Sequence, residues 1–310
     1  KSGNISGIIT AGVNPGYTLP NAEEFSELIN KLEFSLCFSM KEDETANSCK
    51  YIAATPHYLE SWGDYEFKKG HYYLSQPTIK PLFDTNQFQD VILKLTGSNN
   101  NFYDEIKNNW RLNILKGKTW GKSLQDGFYY SYENNTPRRI KTSVNIDNLP
   151  IQNTDELDLI LYTKVGLGDG QQSSNPWLQE FPDPITRVTW DNYLTVSEYD
   201  AKELGLYLDP SNFFNQSSHD ATGGLNGTYA NINLGEVTVK APVIVQPGQA
   251  RGTVGLSFGY GRSKGLKSEM QTGVNAFPLY KNFDSAQSVN IKAVGGKHEF
   301  ACVQLHNTLM

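Results

Sequence analysis

The first forty residues switch hydrophobic period twice, and that constrains the fold more than anything else in the chain. Ser6-Gly-Ile-Ile-Thr-Ala-Gly12 is a short apolar run closed by glycine. Val13-Asn-Pro-Gly-Tyr17 is a turn, since Asn-Pro and Pro-Gly both interrupt regular structure. Asn21 precedes a helical stretch with Glu24 three residues on, the spacing of a capping box. Phe25, Leu28, Ile29 and Leu32 then recur at i, i+3, i+4 and i+7, one face of a helix. Phe34 to Met40 is a second apolar run of strand length. Two strands joined through a helix pair in parallel, so the chain begins as an α/β sheet.

A second helix is predicted with Asp84 as its cap, Gln87 at the third position and Phe88, Val91, Ile92 and Leu95 as the apolar stripe, ending at Gly97. Residues 102–115 and 119–130 read as further helices. The aromatic stretch Tyr65 to Tyr73 is compatible with strand or loop. Residues 134–153 mark a change of style, after which the chain is β-rich. Leu157 to Thr163 is an apolar strand, and Ser197 caps a short helix through Ala201 and Leu204 that stops at Gly205. Val237, Val239, Ala241, Val243 and Val245 alternate with their neighbours, with Pro242 suggesting a sheet edge or bulge. Val289, Ile291 and Ala293 alternate likewise, and Gly295-Gly296 turns the chain into Phe300 to Leu305. A chain of 310 residues makes about two domains. The boundaries drawn are an α/β domain at 1–148 and a mainly β, barrel-like domain at 149–310.

Several chemistries are excluded early. A net charge of −6, from 27 basic and 33 acidic residues, argues against non-specific nucleic-acid binding. No apolar run approaches the ~18 residues of a membrane span, so no direct membrane insertion is expected. Cys37, Cys49 and Cys302 are too few and too scattered for an iron–sulfur or four-cysteine zinc site, and Cys37 reads as a buried thiol. The five His residues show no paired metal spacing. His57 and His71 flank Trp62 and Tyr65 and could form an acid–base pair, although packing roles suit isolated histidines better. A GxSxG nucleophile elbow is absent. Two glycine turns remain. Gly12-Val-Asn-Pro-Gly leads into a capped helix, and Gly259-Tyr-Gly-Arg-Ser-Lys264 could cradle a phosphate through backbone N–H groups and Arg262. Taken alone, each reads better as an ordinary turn. The aromatics Trp62, Tyr65, Tyr72 and Tyr73 would suit a glycan platform. No self-contained catalytic apparatus emerges from the residues, and no catalytic or metal-ligating residue is assigned.

Taken together and in order, several segments resemble the molybdopterin oxidoreductases. They are Gly12-Val-Asn-Pro-Gly-Tyr17, the block Glu44-Thr-Ala-Asn-Ser-Cys-Lys through Glu60, and Gln76-Pro-Thr-Ile-Lys-Pro81. The later segments Val196 to Gly205, Gly235 to Val243 and Gly259-Tyr-Gly261 resemble that family's dinucleotide-binding domain. The resemblance implies an incomplete Rossmann-like α/β domain followed by a double-psi β-barrel. Asn175-Pro-Trp-Leu-Gln-Glu through Asn192, with Gly295 to Leu309, is similar to the iron–sulfur large subunit of alternative complex III, a membrane-bound quinol-oxidising assembly.

By resemblance, Gly12, Asn14 and Pro15 would line a pterin-guanosine site, facing Gly259, Gly261 and Asn275. The nearer likeness implies a fragment of a subunit that lacks the molybdenum cofactor and acts as scaffold. Iron–sulfur clusters would lie elsewhere in the full-length protein, with the other subunits of a respiratory complex as partners, on the periplasmic face of the inner membrane. The alternative is the C-terminal half of a true oxidoreductase holding molybdopterin guanine dinucleotide between the domains. Two departures from the family pattern favour the scaffold. Cys49-Lys50 follows the Glu-Thr-Ala block, where cofactor-binding members carry an acidic residue, and Lys69-Gly70-His71 replaces a Glu-Gly-Arg type turn.

Overall fold

A computed structural model describes residues 1–131, 156–206 and 225–303. The chain opens with strand β1 (Gly7–Ala11), the single turn α1 (Pro15–Thr18), helix α2 (Ala22–Asn30) and strand β2 (Phe34–Ser39). The short helix α3 (Glu44–Ser48) then leads to β3 (Tyr51–Ala54). The three strands pair in parallel in the order β1-β2-β3, as the strand–helix–strand pattern requires. The capping box at Asn21 does not form: its side chain makes no cap bond, and its amide donates instead to the Glu24 carboxylate at 3.0 Å.

Tyr65 to Tyr73 resolves as a hairpin of β4 (Gly63–Lys68) and β5 (His71–Ser75), turning at Lys69-Gly70. Gly70 has φ +79°, and a Cβ there would sit 2.7 Å from the Ser131 carbonyl, so this turn requires glycine. The helix expected from Asp84 begins later, as α4 (Phe88–Leu95) with Gln87 at its N-cap. Residues 102–115 form α5 (Phe102–Asn109) running into a π turn, Trp110–Ile114. Residues 119–130 divide into α6 (Trp120–Asp126) and a strand, β6 (Phe128–Tyr130), because Gly127 takes a left-handed conformation and stops the helix. Strands β4-β5-β6 form an antiparallel meander. One face, with Tyr72, Leu74 and Tyr129, packs on Ile106, Trp110 and Ile114. The other carries Tyr65 stacked on Phe67 at 5.5 Å, with Tyr73 and Tyr130 beyond.

The second half supplies β7 (Leu157–Tyr162), α7 (Pro176–Glu180), β8 (Val188–Thr189), β9 (Leu194–Val196) and α8 (Glu198–Leu204). It continues with β10 (Leu225–Gly227), β11 (Tyr229–Leu234), β12 (Val237–Val245) and β13 (Thr253–Ser257). The last strands are β14 (Ala286–Ala293) and β15 (His298–Cys302). Six of them close into a barrel in the order β11-β12-β9-β13-β7-β14, with β12–β9 and β13–β7 parallel and the rest antiparallel. Leu159, Leu194, Val196, Ile232, Leu256 and Leu279 fill it. Strands β10, β15 and β8 form a small sheet beside it. Ser197 caps α8 as expected, accepting from the Asp200 N–H at 3.0 Å, and Gly205 ends it at φ +65°.

Pro242 lies at a local edge of the ladder, with Tyr229 of β11 on one side and no partner from β9 on the other. Residues 237–242 of β12 pair with β11 and residues 243–245 with β9, so proline sits where one partner hands over to the other. The expected run Phe300 to Leu305 ends as a strand at Cys302, and its last two residues lie outside the described residues, as does the 148/149 domain boundary.

Candidate functional site

The two glycine turns picked out from the sequence come together where the parallel sheet meets the barrel. Asn14 precedes α1, and Pro15 takes the first helical position, where a missing N–H costs nothing. The Asn14 side chain is spent on α3. Its amide donates to the Glu44 carboxylate at 2.7 Å, and its oxygen accepts from the Thr45 N–H at 3.0 Å and the Thr45 hydroxyl at 2.7 Å. The Gly16 N–H donates to the same hydroxyl at 2.8 Å, and a Cβ on Gly16 would lie 3.0 Å from the α3 backbone. Gly12, at φ +65°, lets the chain leave β1. The Gly-x-Asn-Pro-Gly turn and the Glu-Thr-Ala helix therefore lock each other.

From the barrel side, Gly259 and Gly261 have φ +99° and +69°. A Cβ on Gly261 would lie 2.1 Å from the Asn275 backbone nitrogen, so the two predicted residues touch through backbone alone. The Asn275 side chain accepts from the Phe277 N–H at 3.0 Å, a local turn bond. Ser173 donates to the Gly259 carbonyl at 2.7 Å and closes this turn against the loop after β7.

Between the turns sits an ion pair whose acidic half sequence reading left without a role. Arg262 donates through Nη2 to Glu44 at 2.7 Å, through Nε at 3.2 Å, and through Nη1 to the Gly170 carbonyl at 2.8 Å. The Ser263 and Lys264 N–H groups both donate to the other Glu44 oxygen at 3.1 Å. The Arg262 and Glu44 side chains are only 5% and 12% exposed. The anion cradle anticipated in the Gly-Tyr-Gly-Arg-Ser-Lys loop thus exists, and it holds a carboxylate of the same chain. Burial works to raise the pKa of Glu44, but hydrogen bonds from Arg262 and Asn14 outweigh it and leave the group below its ordinary value. Nearby, Lys41 donates to Ser174, and burial together with the Arg262 charge lowers its pKa. Tyr17 of α1 enters the barrel's apolar cluster, donates to the Tyr260 carbonyl at 2.6 Å and meets Phe277 edge-on at 5.0 Å. Burial raises its pKa.

The remaining candidates separate. His57 caps a short 3-10 turn at Tyr58–Glu60, while His71 stacks near Tyr130 on β5, so each has its own structural task. Trp62 and Tyr72 pack into the Trp110 cluster, leaving only Tyr65 and Tyr73 of the four named aromatics on the outer face. Lys69-Gly70 is the β4–β5 turn. Cys37 is buried. Among the described residues no cluster of three or more His, Cys, Asp or Glu could hold a metal, and no helix is long and apolar enough to cross a membrane.

A pterin dinucleotide carries phosphate charge that needs guanidinium or N–H donors. At this junction those donors already converge on Glu44, so the residues as arranged do not fit the group.

The architecture, a parallel α/β sheet joined to a closed mixed barrel, is found elsewhere. Acetylene hydratase from Pelobacter acetylenicus superposes over 93% of this chain with a TM-score of 0.62, at 14% identity. In sequence, the menaquinone reductase molybdopterin-binding-like subunit of Nitratidesulfovibrio vulgaris (strain Hildenborough) is 33% identical over 88 residues, 27% of this chain. No family model matches the chain. The resemblance to molybdopterin oxidoreductases therefore holds in local sequence and in overall fold. The chain spans 44% of the acetylene hydratase chain, and the aligned stretch covers 13% of the menaquinone reductase subunit.

Proposed function

We propose that this chain is a fragment of a molybdopterin-oxidoreductase-like subunit in a respiratory quinol-oxidising complex, kept as scaffold and without its own cofactor. The observation that carries this reading is the Arg262–Glu44 pair, which satisfies the cradle from within. The name of the Nitratidesulfovibrio relative supports the assignment to a quinone-linked assembly. On this reading residues 1–148 are an incomplete Rossmann-like domain and residues 149–310 a double-psi barrel. Gly12, Asn14, Pro15, Gly259, Gly261 and Asn275 mark an ancestral cofactor wall. Iron–sulfur clusters belong to other parts of the full-length protein, and its partners are the other subunits, at the periplasmic face of the membrane.

The junction's chemistry is mechanical: it fixes a sheet to a barrel through a buried ion pair and sets the distance between whatever each side carries. Metal and pterin analysis of the purified full-length protein tests this. Molybdenum and pterin well below one per chain are expected, and stoichiometric amounts of both would overturn the scaffold reading. The alternative, a true oxidoreductase half, draws support from the likeness in fold to acetylene hydratase. It requires Glu44 to leave Arg262 when the cofactor enters.

A further inference from the structure

A cavity of about 220 Å³ lies on the outer wall of the barrel and shares none of the junction residues. Lys164, Asp183, Tyr162, Tyr193, Thr195 and Gln246 line it. Gly255 of β13 lets the Thr195 and Tyr162 side chains of the lining settle over it: a Cβ there would meet the Thr195 hydroxyl at 2.7 Å and the Tyr162 ring at 3.3 Å. Val165 and Ile185, both exposed, form an apolar rim.

The chemistry sits on Lys164, whose side chain is 8% exposed. Its Nζ donates to the Asp191 carbonyl at 2.9 Å and lies 4.3 Å from the centre of the Tyr193 ring. Asp183 stands 3.9 Å away, too far for a hydrogen bond. One Asp183 oxygen is fixed by the Ile185 and Thr186 N–H groups at 3.0 and 2.9 Å, and the other faces the lysine. An anionic guest would meet Asp183 and the Asp191 carbonyl, and a cationic one would meet Lys164. A neutral guest with a carbonyl group satisfies both sides. The volume equals that of about seven liquid waters, enough for one substituted ring between tyrosine walls.

We propose that this cavity is a reactive-lysine site that captures small aromatic aldehydes or ketones as imines. The Lys164 nitrogen lone pair adds to the carbonyl carbon, and the carbonyl oxygen takes a proton to give a carbinolamine. Loss of one water then leaves the C=N bond, with nothing oxidised or reduced. Asp183, entering as the carboxylate, takes each of the two protons that the nitrogen sheds and passes it to that oxygen, which leaves as water. Burial lowers the lysine's pKa to about 8, against the partly opposing charges of Asp183 and Asp191. Tyr162, Tyr193 and Tyr260 face the same region, and burial keeps all three protonated in this range. At pH 8 about half of such a lysine is neutral, against roughly 0.3% of an ordinary one, an advantage on the order of a hundredfold before access is counted. The proposal is independent of the scaffold reading.

The test is to incubate the protein with benzaldehyde, which carries no ionisable group, at pH 8, reduce with cyanoborohydride and map the modified lysines by mass spectrometry. Lys164 is expected to carry at least tenfold more adduct than the mean of the exposed lysines. Asp183→Asn, which keeps the oxygen that accepts from Ile185 and Thr186, is expected to slow its labelling at least tenfold. Labelling spread over surface lysines with Lys164 at or below their mean, in the unmodified sequence, overturns the proposal and needs no variant to fold. A full rate in Asp183→Asn overturns the assigned proton carrier.

Discussion

Replacing Glu44 by alanine is the perturbation that bears most directly on the junction. It removes the acceptor of four donor groups at once: Asn14, Arg262 and the Ser263 and Lys264 N–H groups. Arg262 keeps only the Gly170 carbonyl at 2.8 Å and the Lys264 carbonyl at 3.4 Å, with a side chain still 5% exposed. Stranding one charge of a buried pair costs about 3–5 kcal/mol, because desolvation is no longer offset by the partner. Glu44→Gln keeps an acceptor for the two N–H groups but loses the charge, and is expected to cost about 1.5–3 kcal/mol. The double variant Glu44→Met with Arg262→Met removes both charges, so it is expected to be more stable than Glu44→Ala alone.

Urea unfolding followed by tryptophan fluorescence measures all three, as a shift of midpoint at constant slope. The pH dependence supplies a second check. Because the folded pKa of Glu44 lies below its ordinary value of 4.5, the pair's contribution is fully present above that value and is lost as pH falls through the folded one. The gap between the natural sequence and Glu44→Gln is therefore expected to narrow as the pH falls below that ordinary value. A Glu44→Ala cost under about 0.5 kcal/mol, or a double variant less stable than the single, would refute the claim that this pair holds the junction.

Other substitutions probe separate links. Gly261→Ala places a methyl group 2.1 Å from the Asn275 nitrogen at φ +69° and is expected to cost at least about 2 kcal/mol, seen as a lowered urea midpoint. Tyr17→Phe leaves the Tyr260 carbonyl without its 2.6 Å donor and is expected to cost about 1–2 kcal/mol by the same measurement. Trp110→Ala empties the centre of the helix–meander cluster and orphans Asp64, with an expected loss of about 3–5 kcal/mol and a changed near-UV circular dichroism spectrum.

Where burial is one-sided and periodic, the fold was legible. The β1–α2–β2 unit, β7, the Ser197 cap with its Gly205 stop, and the β12 and β14 alternations all followed from local pattern. The β4–β5 hairpin did not, because aromatic side chains occupy both of its faces and erase the contrast that period-two reading needs. Asp84 was misread since a capping residue is recognised by type, whereas the helix start depends on where the chain docks; Gln87 takes that place without a side-chain bond. Pro242 marked a local edge, but sequence could not show that the strand gains a new partner just beyond it. At the junction, Arg262 and both glycine turns were visible, but Glu44 lies 218 positions from Arg262 and 30 from Asn14. No local spacing encodes such a pairing, although the Glu-Thr-Ala block was itself conspicuous.

The geometry of Asn14 bears on how such motifs should be read. Both ends of its amide side chain are consumed by α3, and Gly16 is required by backbone approach to the same helix. Pro15 presets the first helical turn. Every element of the Gly-x-Asn-Pro-Gly signature therefore has a folding task that persists whether or not a cofactor is bound. A match to that signature argues for the trunk, not for the ligand. What separates the two is the number of donors left unspent, and at this junction the guanidinium and the amides around it already serve Glu44. Any phosphorylated guest would have to displace a desolvated carboxylate from its buried partner before gaining a bond, and that exchange favours keeping the chain's own anion.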